Sequence, residues 1–215
     1  LSTSPILRRQ NRIRTIYSSL AIEQNTLSLE QVTAVLSGKR VLAPPKDIAE
    51  VKNAYEIYDH LAELNPYSID DLLLAHRTMM QGLVHEAGEF RSRPVGVVDN
   101  QGNVLHFGTL PQYVPYLMEE LVQWTESSPF PLLIKSCVFH YEFEVIHPFA
   151  DGNGRIGRLW HTLLLSKWNP LFAWLPIESI IHDHQVEYYA AINQSNAQGE
   201  GTAFIEFMLG IIKEA

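Results

Sequence analysis

The residues with the clearest chemical potential lie in one stretch of twelve, His147 to Arg158, with the sequence HPFADGNGRIGR. This stretch combines a histidine, a carboxylate, an asparagine between two glycines, and two arginines. An imidazole that titrates near neutral pH suits a general base that removes a proton from a hydroxyl group. A histidine beside an aromatic residue is more often a packed core residue, so His147 alone does not identify a reaction.

The glycines of this stretch indicate an anion site. Gly152, Asn153 and Gly154 stand where a loop gives way to a predicted helix. Glycine permits positive φ angles and allows a ligand to approach the backbone closely. Successive N–H groups at the start of a helix bind phosphate oxygens. The alternative for these three residues is an ordinary turn from a loop into a helix.

Two arginines and an aspartate complete the set. Arg155 and Arg158 are three residues apart and therefore share one face of the helix. Cations near a helix N-terminus are unfavourable without an anion, and planar guanidinium groups suit phosphate oxygens. Surface ion pairs are the alternative for both arginines. Asp151 fits the carboxylate of a Mg²⁺ site that also uses substrate phosphates, and it equally fits a helix N-cap.

Together, these groups fit the transfer of a group from a phosphoanhydride to a hydroxyl. Catalysis of such a transfer depends mainly on positioning and on neutralising charge. A Walker-type phosphate loop is excluded, because the chain has no GxxxxGK[ST] motif and the preceding segment is predicted to be a helix and not a strand.

Composition narrows the class of protein. The chain has 215 residues, of which 46% are hydrophobic and 19% charged, as expected for one globular domain with at most an appendage. The formal net charge of −8 argues against nucleic-acid and membrane partners. The single cysteine, Cys137, excludes an internal disulfide and a cysteine-rich zinc site. No apolar run is long enough to span a membrane and no signal peptide is visible, so we expect a cytoplasmic location.

The segments around the signature predict an all-α fold with one β-hairpin. Apolar residues recur at the helical spacing, and Ser28 with Gln31 and Ser68 with Asp71 form predicted N-terminal caps. Residues 131–146 are apolar on nearly all sides, which is typical of a central helix. The predicted helices are 9–22, 28–38, 46–64, 68–84, 112–126, 131–146, 154–168, 184–197 and 202–213, with a loop from Asn169 to about 182.

Residues 88–110 break the helical pattern. Two short runs rich in β-branched and aromatic residues flank an Asn/Gly turn at 99–103, which predicts a hairpin over 93–107. The residues that form these runs are Val95, Val97, Val98, Val104, Leu105 and Phe107.

The stretch 147–158 resembles the signature of the Fic family, HxFx(D/E)GNGRxxR, at every defined position. The resemblance covers most of the chain, from about Tyr17 to Ile212. It implies a Fic-type helical bundle and, in most members, transfer of AMP from ATP to a Ser, Thr or Tyr hydroxyl of a target protein. Residues 1–40 would then form an N-terminal segment with an inhibitory helix, and residues 41–215 the catalytic core.

The resemblance also implies a role for each signature residue. His147 would deprotonate the target hydroxyl, and Asp151 would hold Mg²⁺ on the α- and β-phosphates of ATP. The backbone of Gly152, Asn153 and Gly154, together with the Asn153 side chain, would cradle phosphates. Arg155 and Arg158 would bind the β- and γ-phosphates.

Two other segments fit the same family. Fic proteins carry a β-hairpin flap that aligns the target segment by strand addition, and the predicted hairpin at 93–107 stands at the place of that flap. The residues expected to dock the target are Val95, Val97 and Val98. Tyr188, Tyr189 and Asn196 resemble the residues on the adenine side of the site. Helix packing is an equal alternative for the two tyrosines.

The stretch from Ser19 to Asn25, SLAIEQN, resembles the Fic inhibitory motif (S/T)xxxE(G/N). This resemblance implies that Glu23 pairs with Arg158, which would then be unable to hold the γ-phosphate of ATP. Gln24 departs from the motif, because Gly or Asn is expected there. The alternatives are a solvated Glu23 at a helix end, or a Glu23 that orients water for the removal of AMP.

The leading hypothesis is a self-inhibited protein adenylyltransferase that uses ATP as donor and Mg²⁺ as cofactor. The same fold could instead remove AMP or transfer another nucleotide or phosphate-linked group. A nucleotide-binding regulatory module without turnover is a different class, and the intact His147 and Asp151 favour an enzyme over it. The target protein stays open, as does the oligomeric state, for which a homodimer is one option.

Overall fold

The computed structural model describes the backbone of residues 4–98 and 104–215, and the side chains of residues 4–96 and 108–215. Within this part, ten α-helices and two short strands make up the fold, and the expected all-α class is confirmed. The helices are α1 (Pro5–Ile22), α2 (Leu29–Leu36), α3 (Pro45–Asp59), α4 (Ile69–Met79), α5 (Val114–Ser127), α6 (Leu132–Ile146), α7 (Asn153–Trp168), α8 (Ile177–Asp183), α9 (Gln185–Gln198) and α10 (Thr202–Glu214). None of the described helices has the length and hydrophobicity that crossing a membrane requires.

The two helices that flank the signature loop lie at the centre of the fold. α6 packs against α7, and their facing side chains include Phe139 and Trp160, which are both fully buried. The apolar surface of α6 on nearly all sides is explained by neighbours in α5, α7 and α10. α6 ends at Ile146, because the residue before Pro148 is biased away from helical angles and His147 adopts a left-handed conformation with φ 52°.

The end of α1 is held between two groups of buried apolar side chains. Leu20 belongs to a large cluster that also contains Trp160 of α7, whereas Ile22 belongs to a smaller cluster that contains Phe204 and Met208 of α10. Because both residues are buried, the residue that follows them, Glu23, has little freedom of position.

Several element ends differ from the sequence prediction. α1 begins at Pro5 after an N-cap at Ser4, earlier than predicted, since proline is favoured at the first position of a helix. α3 ends at Asp59, and a short 3₁₀ turn over Leu61–Glu63 replaces its predicted last turn. α4 ends at Met79 and does not reach Val84.

The segment after α7 also differs from the prediction. The expected loop from Asn169 to about 182 contains a 3₁₀ turn and helix α8, which buries Ile177 and Ile181 one helical turn apart. By contrast, the capping box of Ser28 and Gln31 at the start of α2 is confirmed, with both of its hydrogen bonds present.

Two short strands lie in the segment where the hairpin was predicted. β1 (Gly96–Val98) pairs antiparallel with β2 (Val104–Phe107), with Gly96 opposite Phe107 and an irregularity in the register after Val97. The predicted turn at 99–103 lies outside the described residues. The role of these strands as a flap stays a prediction.

We predict that the free energy of unfolding rises with pH between about 4 and 6.5, in part because of His161. Burial lowers the pKa of His161 from 6.5 to about 4, so the unfolded chain binds one more proton than the folded chain in this window. The contribution is complete above pH 6.5, amounts to roughly 3 kcal/mol, and is lost as the pH falls. Urea titrations at several pH values give the free energy of unfolding. The slope of this free energy against pH should be smaller in His161→Phe by the amount that corresponds to about one proton. Equal slopes in the two proteins would contradict the assignment.

Candidate active site

The signature loop joins α6 to α7 through two left-handed residues. His147 follows the last turn of α6 with φ 52°, and Gly152, with φ 86°, precedes the first residue of α7. The Asn153 side chain braces the loop between them, because its Oδ1 accepts from the Phe149 N–H at 2.8 Å and its Nδ2 donates to the Phe149 carbonyl at 2.8 Å. The Asn153 amide is therefore occupied within the loop, and its predicted contact with phosphate stays untested.

His76 on α4 packs against the signature loop. This residue was not identified from the sequence. Its ring stacks on Phe149 with a centroid distance of 3.7 Å. Its Nδ1 accepts from the Gly88 N–H at 2.9 Å, so its Nε2, 3.0 Å from the Asp151 carbonyl oxygen, carries the proton and donates. Burial lowers the pKa of His76 to about 4, which keeps this arrangement neutral.

Arg91 is a second supporting residue that sequence reasoning missed. Its guanidinium is buried and donates to the carbonyl of His147 at 2.7 Å and to that of Ile146 at 3.3 Å. It also donates to the carbonyls of Arg93 and Thr109, which flank the two strands. A cation at the C-terminus of a helix is favourable, and Arg91 thereby joins the end of α6 to the base of the strand pair.

His147 reaches the surface, with 20% of its side chain exposed. Its Nδ1 lies 3.4 Å from the carbonyl oxygen of Glu144. Because a carbonyl oxygen only accepts hydrogen bonds, this contact favours the tautomer with the proton on Nδ1. In that tautomer, Nε2 is the ring nitrogen that can accept a proton.

Asp151 is half exposed, with 50% of its side chain accessible. Its Oδ1 accepts from the Gly152 N–H at 2.6 Å and from Arg155 Nη2 at 2.9 Å. Among the described residues, no three His, Cys, Asp or Glu side chains converge to form a protein-only metal cage. An exposed single carboxylate nevertheless fits Mg²⁺, which commonly uses one or two carboxylates together with water and substrate phosphates.

Arg155 is buried and forms an ion pair with a carboxylate of another helix. Its Nη1 lies 3.1 Å from Oε1 of Glu50 on α3. Oε2 of Glu50 in turn accepts from Nδ2 of Asn25 at 2.8 Å. Glu50 was not identified from the sequence, and it links the first signature arginine to the turn that follows Glu23.

Arg158 is also buried, with 1% of its side chain exposed, and it pairs with Glu23. Its Nη2 lies 2.7 Å from Glu23 Oε1, and its Nε donates to the Ser19 hydroxyl at 3.2 Å. Burial is the largest single influence and acts to lower the pKa of Arg158, but the charge and hydrogen bond of Glu23, together with Tyr188 and Tyr189, outweigh it, so the pKa lies above its usual value. The structure thus brings together Ser19, Glu23 and Arg158 as the sequence motif predicted.

The Glu23 carboxylate lies against the start of α7. A Cβ atom added to Gly154 would overlap Glu23 Oε1 and would approach Arg158 Nη1 to 3.0 Å. The next residue, Gln24, has φ 65°, a left-handed conformation that Gly and Asn adopt most easily. Glutamine therefore occupies a position whose backbone conformation Gly or Asn, the residues expected from the motif, would adopt with less strain.

The three residues assigned to the adenine side have different environments. Tyr188 is fully buried and its hydroxyl lies 3.0 Å from His140 Nε2, so packing accounts for it in this structure. Tyr189 is 42% exposed. Asn196 accepts from the Tyr141 hydroxyl at 3.1 Å. Contacts of these residues with a nucleotide stay a prediction.

Comparison with known proteins agrees with the resemblance of the signature at 147–158. Residues 66–165 match the Fic/DOC family. The chain is 31% identical to protein adenylyltransferase fic-1 of Caenorhabditis elegans, over 97% of this chain and 42% of that protein. It is also 31% identical to protein adenylyltransferase Fic of Nematostella vectensis, over 90% of this chain and 45% of that protein. The chain therefore spans less than half the length of these curated relatives.

Solved structures share the fold. A Fic family protein from Desulfovibrio desulfuricans G20 superimposes with a TM-score of 0.95 and 51% identity, over 99% of this chain and 65% of that one. Fic-1 from C. elegans gives a TM-score of 0.79 and 26% identity, over 99% of this chain and 66% of that one. The chain thus has the fold of these Fic proteins, and the segment of it that contains the signature loop matches the Fic/DOC family.

Proposed function

We propose that this chain is a protein adenylyltransferase that transfers AMP from ATP to a hydroxyl of a target protein, and that Glu23 restrains it. The observation that carries the proposal is the convergence of His147 and Asp151 of the signature loop with two buried arginines in the first turns of α7. Relatives named protein adenylyltransferase support ATP as the donor and a protein as the target.

In the proposed reaction, the target hydroxyl oxygen attacks the α-phosphorus of ATP. The bond between that phosphorus and the bridging oxygen to the β-phosphate breaks, and its electron pair leaves with pyrophosphate. The proton of the hydroxyl passes to Nε2 of His147, which the contact of Nδ1 with the Glu144 carbonyl leaves as the acceptor. The products are the target with a phosphodiester-linked AMP, and pyrophosphate.

Bound Mg²⁺ would neutralise phosphate charge, and Asp151 is the residue that would hold it. The exposed half of the Asp151 side chain supports this role. The Gly152 N–H and Arg155 hold the other face of the carboxylate through Oδ1, which fixes its direction without covering it.

The restraint follows from the charges around the arginines. A triphosphate needs positive charge, but Arg158 already pairs with Glu23, and Arg155 already pairs with Glu50 and Asp151. Glu23 keeps 30% of its side chain exposed, whereas Arg158 is buried, so we propose that the pair opens on the Glu23 side. Removing one partner of a buried pair is costly unless another anion replaces it, and the γ-phosphate is such an anion.

Target docking is proposed at the strand pair. A cleft of about 440 Å³ runs from the base of the strands to the signature loop. Its lining includes Arg93 and Val95 next to the first strand and Ala150 of the signature loop. A peptide added to the edge of the strands would place its hydroxyl toward the loop that holds His147.

We predict that Glu23→Gly increases self-modification with ATP and Mg²⁺ by at least roughly tenfold, because Arg158 becomes available to the γ-phosphate. Intact mass after incubation with ATP, UTP or CTP measures the reaction and identifies the donor. Gln24→Gly is the matched control, since it adds a glycine to the same turn, at φ 65°, and leaves Glu23 in place. Gln24→Gly should stay restrained. Equal adduct levels in Glu23→Gly and the unchanged chain would contradict the restraint.

We predict that His147→Ala, added to Glu23→Gly, abolishes the adduct while ATP binding persists. The imidazole takes the proton of the hydroxyl in the transfer step, whereas the arginines that bind phosphate lie elsewhere. Intact mass gives the transfer, and calorimetric titration gives the dissociation constant for ATP. Continued modification without His147 would rule out its role as the base.

A further inference from the structure

Glu144 is a carboxyl group that lies directly behind His147 and that the proposed reaction does not yet use. Only 12% of its side chain is exposed, less than the 20% of His147, so it stands on the protein side of the imidazole. Its Oε2 is 3.8 Å from His147 Nδ1. Its Oε1 is buried without a hydrogen-bond partner.

The backbone explains this placement. Glu144 and His147 are three residues apart, and the left-handed conformation of His147 turns its ring back over the last turn of α6. Both acceptors near Nδ1, the carbonyl at 3.4 Å and the carboxyl at 3.8 Å, then belong to Glu144. Glu144 therefore contributes both its carbonyl and its carboxyl group to the environment of His147 Nδ1.

The neighbouring helix leaves room for this carboxyl group. A Cβ atom added to Gly157 of α7 would lie 2.8 Å from Glu144 Oε1 and 3.1 Å from Cδ2 of His140. Any larger residue at 157 would push the carboxyl group away from its present position. The glycine inside the signature helix thus has a local function, which is to admit Glu144.

The titratable groups that face Glu144 come from five parts of the fold. Burial raises the pKa of Glu144 to about 7, and Arg158 lowers it less than burial raises it, while Glu23 raises it further. His140, with Nε2 3.9 Å from Oε1, has a pKa well below its usual value because of burial and is therefore neutral. The titratable and charged groups around Glu144 are His140 on α6, His147 in the loop, Arg158 on α7, Glu23 after α1, and Tyr188 and Tyr189 on α9.

We propose that Glu144 is a positioning residue for His147: its carboxyl group orients the imidazole through Nδ1 and balances the positive charge that the ring gains when Nε2 takes the hydroxyl proton. This inference rests on the proposed function, which makes His147 the base. The proton stays on the imidazole, and Glu144 acts only through its charge and position.

The test measures His147 directly, without a target or a nucleotide. Proton–carbon NMR of the Cε1–H groups follows the nine histidines as pH changes, and the missing signal in His147→Gln assigns His147. We expect the titration midpoint of His147 to be about one pH unit lower in Glu144→Gln, because a nearby negative charge favours the imidazolium form. Glu144→Asp keeps the charge and should restore most of the midpoint. Glu142→Gln, two residues earlier on the same helix, is the matched control and should leave it unchanged.

The outcomes are distinct. A midpoint that is the same in the unchanged chain, Glu144→Gln and Glu144→Asp would overturn the proposal, because a purely structural side chain does not respond to charge. If Glu144→Gln fails to fold, Gly157→Ala decides, because the added Cβ atom displaces the Glu144 carboxyl group without removing it. An unchanged His147 midpoint in Gly157→Ala would overturn the proposal.

An activity measurement separates this inference from the proposed function. In the Glu23→Gly background, Glu144→Gln should lower kcat roughly tenfold, because His147 loses the charge that stabilises its protonated form. If Glu23→Gly forms no adduct at all, the proposed function fails, whereas the NMR result still stands on its own. An unchanged kcat in an active background would overturn the role of Glu144.

Discussion

The rest of the site depends on the need of a buried guanidinium for a negative partner. Arg158 lies on α7 in the centre of the fold with 1% of its side chain exposed, and an unpaired cation there would be strongly unfavourable. Glu23 supplies the charge, and the packing of Leu20 and Ile22 fixes where Glu23 stands. α1 is therefore attached to the site by apolar burial, by the hydrogen bonds that Ser19 accepts from Arg158, and by the ion pair of Glu23 at its end.

A second constraint is the tight path of the chain between α6 and α7. Two left-handed residues, His147 and Gly152, reverse the chain within a few residues, and such a turn holds only if its surroundings fix it. Asn153 braces it from inside, and His76 and Arg91 hold it through backbone carbonyls from outside. The precision of the site thus comes from polar contacts to the backbone as much as from the signature side chains.

The sequence predicted the features whose signals are local. The signature at 147–158, the pairing of Glu23 with Arg158 and the capping box at Ser28 each depend on a short pattern, and the structure places these residues as expected. His76, Arg91 and Glu50 act on the loop across 56 or more residues of sequence, so no local pattern reveals them. Helix α8 was not predicted because a helix of seven residues is too short to give a clear periodic signal.

Both signature arginines are neutralised by carboxylates in this structure, Arg158 by Glu23 and Arg155 by Glu50. In the proposed reaction, a triphosphate would bring the same sign of charge, so nucleotide and carboxylate would replace one another without leaving a buried charge unpaired. Glu23 ends a helix and is partly exposed, whereas Glu50 lies buried within α3 and also accepts a hydrogen bond from Asn25. On this proposal the exchange would be easiest at Glu23, while the contacts of Glu50 would keep the following turn in place.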